Sequence, residues 1–266
     1  MDPKGRHTVV TGASSGIGRA AAIALARRGA RLTIAARREA ELAQTAAACR
    51  AEGAECEPVI ADVSRREDCF RLAAVAAARF GPVDILVNNA GFAIFDALGE
   101  ADPREVERMI ATNYLGALWC VQAVLPSMLE RRSGAIVNIG SISGLMGYAR
   151  MGAYCASKFA LTGMTEALRA EVDDHGVKVS LIAPATTDTE FFVTAEKGKM
   201  PGASRMILAI PPERVARAIV DAIESGRRRA ILPFSAALFL RFKEIFPAPA
   251  HFLMTRVSRR LERKRG

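Results

Sequence analysis

The chain has 266 residues, half of them hydrophobic and 24% charged. That length suffices for one large domain or two small ones, and so apolar a chain is not a disordered one. A formal net charge of +9 invites nucleic acid or an anionic membrane as partner, but residues 227–266 carry eleven Lys and Arg against Glu244 and Glu262 while the first 226 residues are balanced, which argues against a basic nucleic-acid-binding body.

Along the chain, short β-branched or apolar runs alternate with Ala-rich stretches of helical spacing. Strands are predicted at His7–Thr11, Arg31–Ala36, Glu57–Ala61, Val83–Asn88, Ala135–Gly140, Lys178–Ala183 and Ala230–Leu232. Helices are predicted near 17–28, 39–52, 66–79, 103–131, 152–174 and 212–225. This rhythm implies a parallel sheet with helices on both faces. Continuously apolar runs such as Ile85-Leu86-Val87 suit strands buried on both sides. The expected fold is α/β: a single doubly wound, Rossmann-type parallel sheet of about seven strands. It would occupy residues 1–233, with a loop-rich insertion at 186–210 where a substrate lid commonly lies. Residues 234–266 would form a basic amphipathic extension. Cys49, Cys56, Cys69, Cys120 and Cys155 show no paired spacing, and the three histidines are dispersed. Neither a disulfide framework nor a metal centre is expected, and a reducing cytoplasm fits. The start of the chain has no signal-peptide layout, and no run approaches the ~18–20 consecutive apolar residues that span a bilayer.

The first predicted strand runs into Thr11-Gly12-Ala13-Ser14-Ser15-Gly16-Ile17-Gly18, where a helix begins. Glycines there allow a tight turn and let backbone N–H groups approach a pyrophosphate, which the helix N-terminus also favours. Ser14 and Ser15 add hydroxyl donors. About 20 residues beyond such a turn, an acidic side chain would bind the ribose 2′-hydroxyl of NAD. Here the second strand ends instead in Arg37 and Arg38. A guanidinium fork suits a 2′-phosphate, so NADP(H) is favoured over NAD(H). Arginines that merely start the next helix are the alternative, strongest for Arg38 beside Glu39 and Glu41.

Tyr154 and Lys158 share one helix face by their spacing. An ammonium beside the phenol favours the phenolate, so Tyr154 is expected to titrate below its usual range and serve as acid–base. By itself the pair reads equally as a surface tyrosine and a solvated lysine. Ser141 follows a strand end, where ligands collect in open α/β sheets. Asn113 lies inside the predicted helix 103–131, where an amide is expected only with buried partners. Asn88-Asn89-Ala90-Gly91 ends the fourth strand with small and amide residues.

In combination these motifs are specific, and across residues 5–232 the chain resembles a classical short-chain dehydrogenase/reductase. The resemblance implies a catalytic tetrad of Asn113, Ser141, Tyr154 and Lys158. In it Tyr154 is the acid–base, Ser141 holds the substrate oxygen, Lys158 binds the nicotinamide ribose, and Asn113 supports a proton-relaying water. It also implies cofactor contacts from Gly12, Ser14, Ser15, Gly16, Ile17, Gly18, Arg37, Arg38, Asp62, Val63, Asn89, Ala90, Gly91, Pro184, Thr187 and Thr189, besides Tyr154 and Lys158. A homodimer or homotetramer built on helices 103–131 and 152–174 follows from the same likeness. Three positions depart from the family pattern: Ala185 stands where Gly is usual after Pro184, Thr187 where Val is usual, and Gly140 where a second Ser often precedes Ser141.

The expected activity is hydride exchange between nicotinamide and a carbonyl or alcohol. Phe92, Ile94, Leu145, Tyr148, Phe191 and Phe192 are the candidate substrate contacts, beside Ser141, and their apolar character suits a lipophilic substrate. Two other readings stay open: a non-catalytic NADP(H) sensor or scaffold on the same fold, and a reductase of carrier-linked 3-oxoacyl groups. The C-terminal extension interleaves Phe and Leu with Arg and Lys. It is read as an amphipathic element that lies peripherally on an anionic membrane or covers the substrate opening, or else as a helix packed on the body with a solvated basic end.

Overall fold

The computed structural model describes residues 1–187 and 209–250, with Phe252 and Arg256. Seven parallel strands form one sheet in the order β3-β2-β1-β4-β5-β6-β7. They are β1 (His7–Thr11), β2 (Arg31–Ala36), β3 (Cys56–Ile60), β4 (Ile85–Asn88), β5 (Gly134–Ile139), β6 (Val177–Pro184) and β7 (Arg229–Leu232). Strand alternation assigns each side chain to one of two layers. Val10, Ile85 and Val87 enter a cluster with Leu25 of α1 (Gly16–Arg27), Leu42 of α2 (Glu39–Ala51) and Ile219 of the helix at Pro212–Ser225. Val9 and Leu86 face the other way. They meet Leu72 of α3 (Arg66–Phe80), Val121 of the helix at Gly116–Glu130 and Leu168 of the helix at Gly152–Val172. These central strands are therefore covered on both faces, which is why they read as unbroken apolar runs.

Between β1 and β4 the winding reverses, and a crevice opens beyond the carboxyl ends of the strands. β4 starts two residues later than its apolar run suggests. Asp84 is drawn into a polar clamp at the foot of the sheet, where its carboxylate accepts from the His7 amide at 3.1 Å and Arg131 Nη1 at 2.8 Å.

The stretch expected as one helix over 103–131 has three parts. Helix α4 (Pro103–Ile110) is capped by Asp102, which accepts from the Arg104 amide at 2.9 Å. A π-helical turn, Ala111–Leu115, follows, and then α5 (Gly116–Glu130). A π turn is a single-turn insertion inside a continuous helix and carries no residue-type signature, so a long apolar helical stretch does not reveal it. Among the described residues, Pro103–Glu130 is the one helical stretch long and apolar enough to cross a membrane. Here it packs against α3 and α6 (Gly152–Val172). Helix α7 is Pro212–Ser225, and α8, Phe234–Ile245, follows β7 directly. The two flanks of the 186–210 insertion meet: Thr187 bridges Ile210, whose amide donates to Thr186 O at 2.9 Å.

Candidate active site

The glycine turn is built around one threonine. Thr11 Oγ1, at the end of β1, accepts from the Asn89 and Ala90 amides at 3.1 and 3.2 Å and donates to Val87 O at 3.4 Å. Asn89 Nδ2 returns bonds to Thr11 O at 3.0 Å and Gly12 O at 3.1 Å. The Gly12 turn and the Asn88–Gly91 segment are thereby locked together. Gly12 has φ +65°, and a Cβ there would lie 2.7 Å from Ala90 Cα. A side chain at Gly18 would run into Gly12 O and the Asn89 amide. Gly18 thus sits beneath the turn as a packing residue, while Gly12, Ser14, Ser15, Gly16 and Ile17 line the crevice. Thr11 and its latch role escaped the reading of the motif, although the Thr-Gly pair that opens it is the available signal.

Arg37, Arg38, Asp62 and Val63 form the far end of the same cleft. Arg38 Nη2 donates to Ser15 Oγ at 2.7 Å and Ser14 Oγ at 3.2 Å, and its Nη1 lies 3.3 Å from Glu41. The arginine therefore does more than start a helix: it converges with both serine hydroxyls. Ser15 caps α1 by position but makes no side-chain bond to that helix. Arg37 Nη1 sits 3.8 Å from Asp62 Oδ2, and both side chains keep solvent contact. Asp62 Oδ1 is occupied by Ser64, from its amide at 3.0 Å and its hydroxyl at 2.8 Å.

Tyr154, Lys158, Ser141 and Asn113 converge where β4 and β5 end. Ser141 follows Gly140, where a Cβ would approach the movable end of Leu181, Cδ1, to 2.9 Å. Ser141 Oγ accepts from the Ser143 amide at 3.1 Å and lies close enough to the Tyr154 hydroxyl to favour its ionised form. Burial pushes the Tyr154 phenol above its usual range, and the Ser141 hydroxyl only partly opposes this. The spacing-based expectation of a lowered phenol is therefore corrected, because desolvation is the larger cause. Lys158 is buried and donates through Nζ to Ile139 O at 2.9 Å. Its burial disfavours the ammonium and brings it down to about 8.

Asn113 is 1% exposed and fully engaged. Its Oδ1 accepts from the Phe92 amide at 2.9 Å, and its Nδ2 donates to Phe92 O at 2.8 Å and to Ser157 Oγ at 3.0 Å. Ser157 Oγ in turn donates to Tyr154 O at 2.7 Å. Gly91 admits this packing, since a Cβ there would lie 3.0 Å from Asn113 Oδ1 and 3.5 Å from Lys158 Nζ. Ser157 was not foreseen; its only sequence signal is a small polar residue on the Tyr154 face of a helix.

The remaining candidates separate. Ala90, Gly91, Phe92, Tyr148, Pro184 and Thr187 line the cleft, joined by Met151 and Thr186. Ile94 packs instead with Phe95 and Met109, and Leu145 packs on the main core, so neither lines it. Thr189, Phe191 and Phe192 lie outside the described residues. Ala185 replaces the usual glycine without strain: among the described residues other than glycine only Arg132 and Arg150 have positive φ, and the Ala185 amide donates to Leu232 O at 2.7 Å.

One end of this cleft thus carries a positive-φ glycine cradle, two serine hydroxyls and two arginines. The other carries a buried phenol, an ammonium and a serine hydroxyl. A dinucleotide fits that donor set: phosphates at the first end, a ribose and reacting ring at the second.

The model of the family described as short chain dehydrogenase matches residues 6–199. Rat 17-beta-hydroxysteroid dehydrogenase 13 is 33% identical over 247 residues, covering 91% of this chain and 80% of the relative. Bovine 3-ketodihydrosphingosine reductase is 36% identical over 240 residues, covering 85% and 71%. Among solved structures, a short chain dehydrogenase/reductase from Burkholderia phymatum in complex with NAD matches with a TM-score of 0.85 at 30% identity, over 92% of this chain and 94% of that one. A metagenomic short-chain oxidoreductase in complex with NADP matches with a TM-score of 0.74 at 31% identity, over 87% and 97%.

Proposed function

Because the chain belongs to the short-chain dehydrogenase/reductase family and is an NAD(P)-dependent oxidoreductase, we propose that it is an NADP(H)-dependent reductase or dehydrogenase of a lipophilic carbonyl or alcohol. The observation that carries the chemistry is the convergence of the buried Tyr154, Ser141 and Lys158 on one wall of the cleft. Gly12, Ser14, Ser15 and Gly16 would hold the pyrophosphate, Arg37 and Arg38 the 2′-phosphate, and Lys158 the nicotinamide ribose. The bound cofactor supplies or accepts the hydride.

The rest falls to this chain's own side chains. Ser141 Oγ positions the substrate oxygen, and Tyr154 gives it a proton or takes one away. Burial keeps the phenol protonated at neutral pH, as an acid must be before a carbonyl is reduced. Lys158, brought down to about 8 by burial, exchanges its proton near working pH. The side chain of Asn113 is spent on Phe92 and Ser157, so it acts by holding the Phe92 segment and α6 in register. Phe92, Tyr148 and Met151 on the substrate side favour an apolar ligand. The hydroxysteroid and ketosphingoid relatives point the same way.

The test is NADPH-linked turnover of a panel of lipophilic ketones by the native chain and by Tyr154→Phe. Turnover that survives unchanged in the variant would overturn the assignment.

A further inference from the structure

Helix α8 carries two apolar faces. Ala236, Phe239 and Leu240 pack inward beside Leu145 and Tyr148. On the other side Phe234, Leu238 and Ile245 are 78%, 63% and 69% exposed, and Phe242 and Phe246 are exposed as well. Positions 234, 238, 242 and 245 form one stripe on a helix. The Phe242 and Phe246 rings, 5.4 Å apart, extend it beyond the helix end. A helix on a soluble body buries one such stripe; a second one marks an interaction surface.

The neighbouring charge selects the occupant. Phe234 and Leu238 line a groove in which five arginines, Arg214, Arg217, Arg227, Arg229 and Arg241, outnumber two carboxylates, Asp221 and Glu244. Arg214, Arg217 and Arg227 are exposed and form no ion pair among the described residues. A second copy docked on the same face would set these arginines against their own kind. An anionic bilayer satisfies both features, taking the rings and aliphatic chains into its acyl boundary and the guanidinium groups at its phosphates. We propose that the outer face of α8, with the arginine groove beside it, docks this protein on an anionic membrane surface.

The docked helix adjoins the cleft by its inner face, opposite the exposed stripe. Lys243 Nζ donates to Leu145 O at 3.1 Å, which fastens α8 to the loop that follows Ser141 and leads to Tyr148. Docking would therefore bring the substrate side of the cleft close to the bilayer in which a lipophilic carbonyl dissolves. This consequence rests on the proposed function; the docking itself does not.

The experiment is co-sedimentation of the full-length chain with phosphatidylcholine vesicles, with and without phosphatidylserine, at low and high salt. The native chain should pellet only with phosphatidylserine, and less so as salt rises. Combined Arg214→Gln, Arg217→Gln and Arg227→Gln should weaken partitioning by roughly fivefold per arginine. Combined Phe234→Ser, Leu238→Ser and Ile245→Ser should abolish it while leaving turnover of a water-soluble ketone at the native level. Native chain that stays in the supernatant, pellets equally without phosphatidylserine, or is indifferent to both sets of substitutions overturns the proposal. A serine variant that lowers the mass seen by light scattering and pellets like the native chain assigns the stripe to self-association and also overturns it. Pelleting without carbonyl turnover defeats the functional reading alone.

Discussion

Asn113 Nδ2 donates to Ser157 Oγ across 3.0 Å, and through this bond the π-helical turn grips the helix that bears Tyr154 and Lys158. Since Ser157 Oγ also donates to Tyr154 O at 2.7 Å, one hydroxyl links the amide to the backbone of the proposed acid–base. Such inserted turns recur at functional sites. Here it places Asn113 opposite Phe92 as well.

Ser157→Ala should therefore misplace Tyr154 without touching substrate. Leaving a buried amide donor unmatched costs about 1–3 kcal/mol, measurable by urea unfolding. In steady-state kinetics kcat should fall while KM stays near the native value. Lowered stability with unchanged kcat would reduce the bond to a purely structural one.

Lys158 makes stability depend on pH in a defined window. Its folded value of about 8 lies below the 10.5 of an unburied lysine. Between those two values the unfolded chain binds more protons, so this group makes the protein more stable as pH rises. Below about 8 both states are charged and the full burial penalty applies. Relative to Lys158→Met, the native chain should gain up to about 3 kcal/mol between pH 8 and 10.5. A flat difference between the two unfolding curves would contradict the buried placement.

Arg37 and Arg38 should separate in binding experiments. Arg37 faces Asp62 at the cleft edge, so Arg37→Asp should raise the NADPH Kd roughly 10- to 100-fold, the loss of a charge-assisted bond, and leave NADH almost unaffected. Arg38 holds Ser14 and Ser15, so Arg38→Ala should weaken both cofactors. Tighter binding of NADH than of NADPH by the native chain would reverse the proposed preference.

Gly12→Ala should fail twice. Its φ of +65° resists a side chain, and the added Cβ would lie 2.7 Å from Ala90 Cα. Strain of this kind costs on the order of 1–3 kcal/mol, visible as a lower Tm. Calorimetric titration should show dinucleotide binding lost, while circular dichroism shows the fold retained.

Much of this molecule is readable from its residues in order. Apolar runs such as Ile85-Leu86-Val87 announce strands covered on both faces, and seven of them in a β-α rhythm leave few topologies. The glycine turn is legible because only glycine satisfies both its positive φ and its close approach to Ala90. The Tyr154–Lys158 pair is legible because four residues make one helical turn. The partners of these groups are not, because hydrogen bonds such as Thr11 to Asn89 or Asn113 to Ser157 join residues 78 and 44 positions apart.

The order of residues by itself determined the parallel sheet and the glycine turn, and it set the proposed acid–base pair, Tyr154 and Lys158, on one helix face, since these follow from local period and backbone permission. Only the tertiary structure decided the proton affinities and the outlying surfaces. It raised the Tyr154 phenol where spacing implied the opposite, because desolvation depends on everything packed around a group. It set Arg38 against the turn and Arg37 against Asp62, adjacent residues with different partners. It also turned one face of α8 to the core and left the other exposed, a division that an all-round apolar helix cannot specify alone.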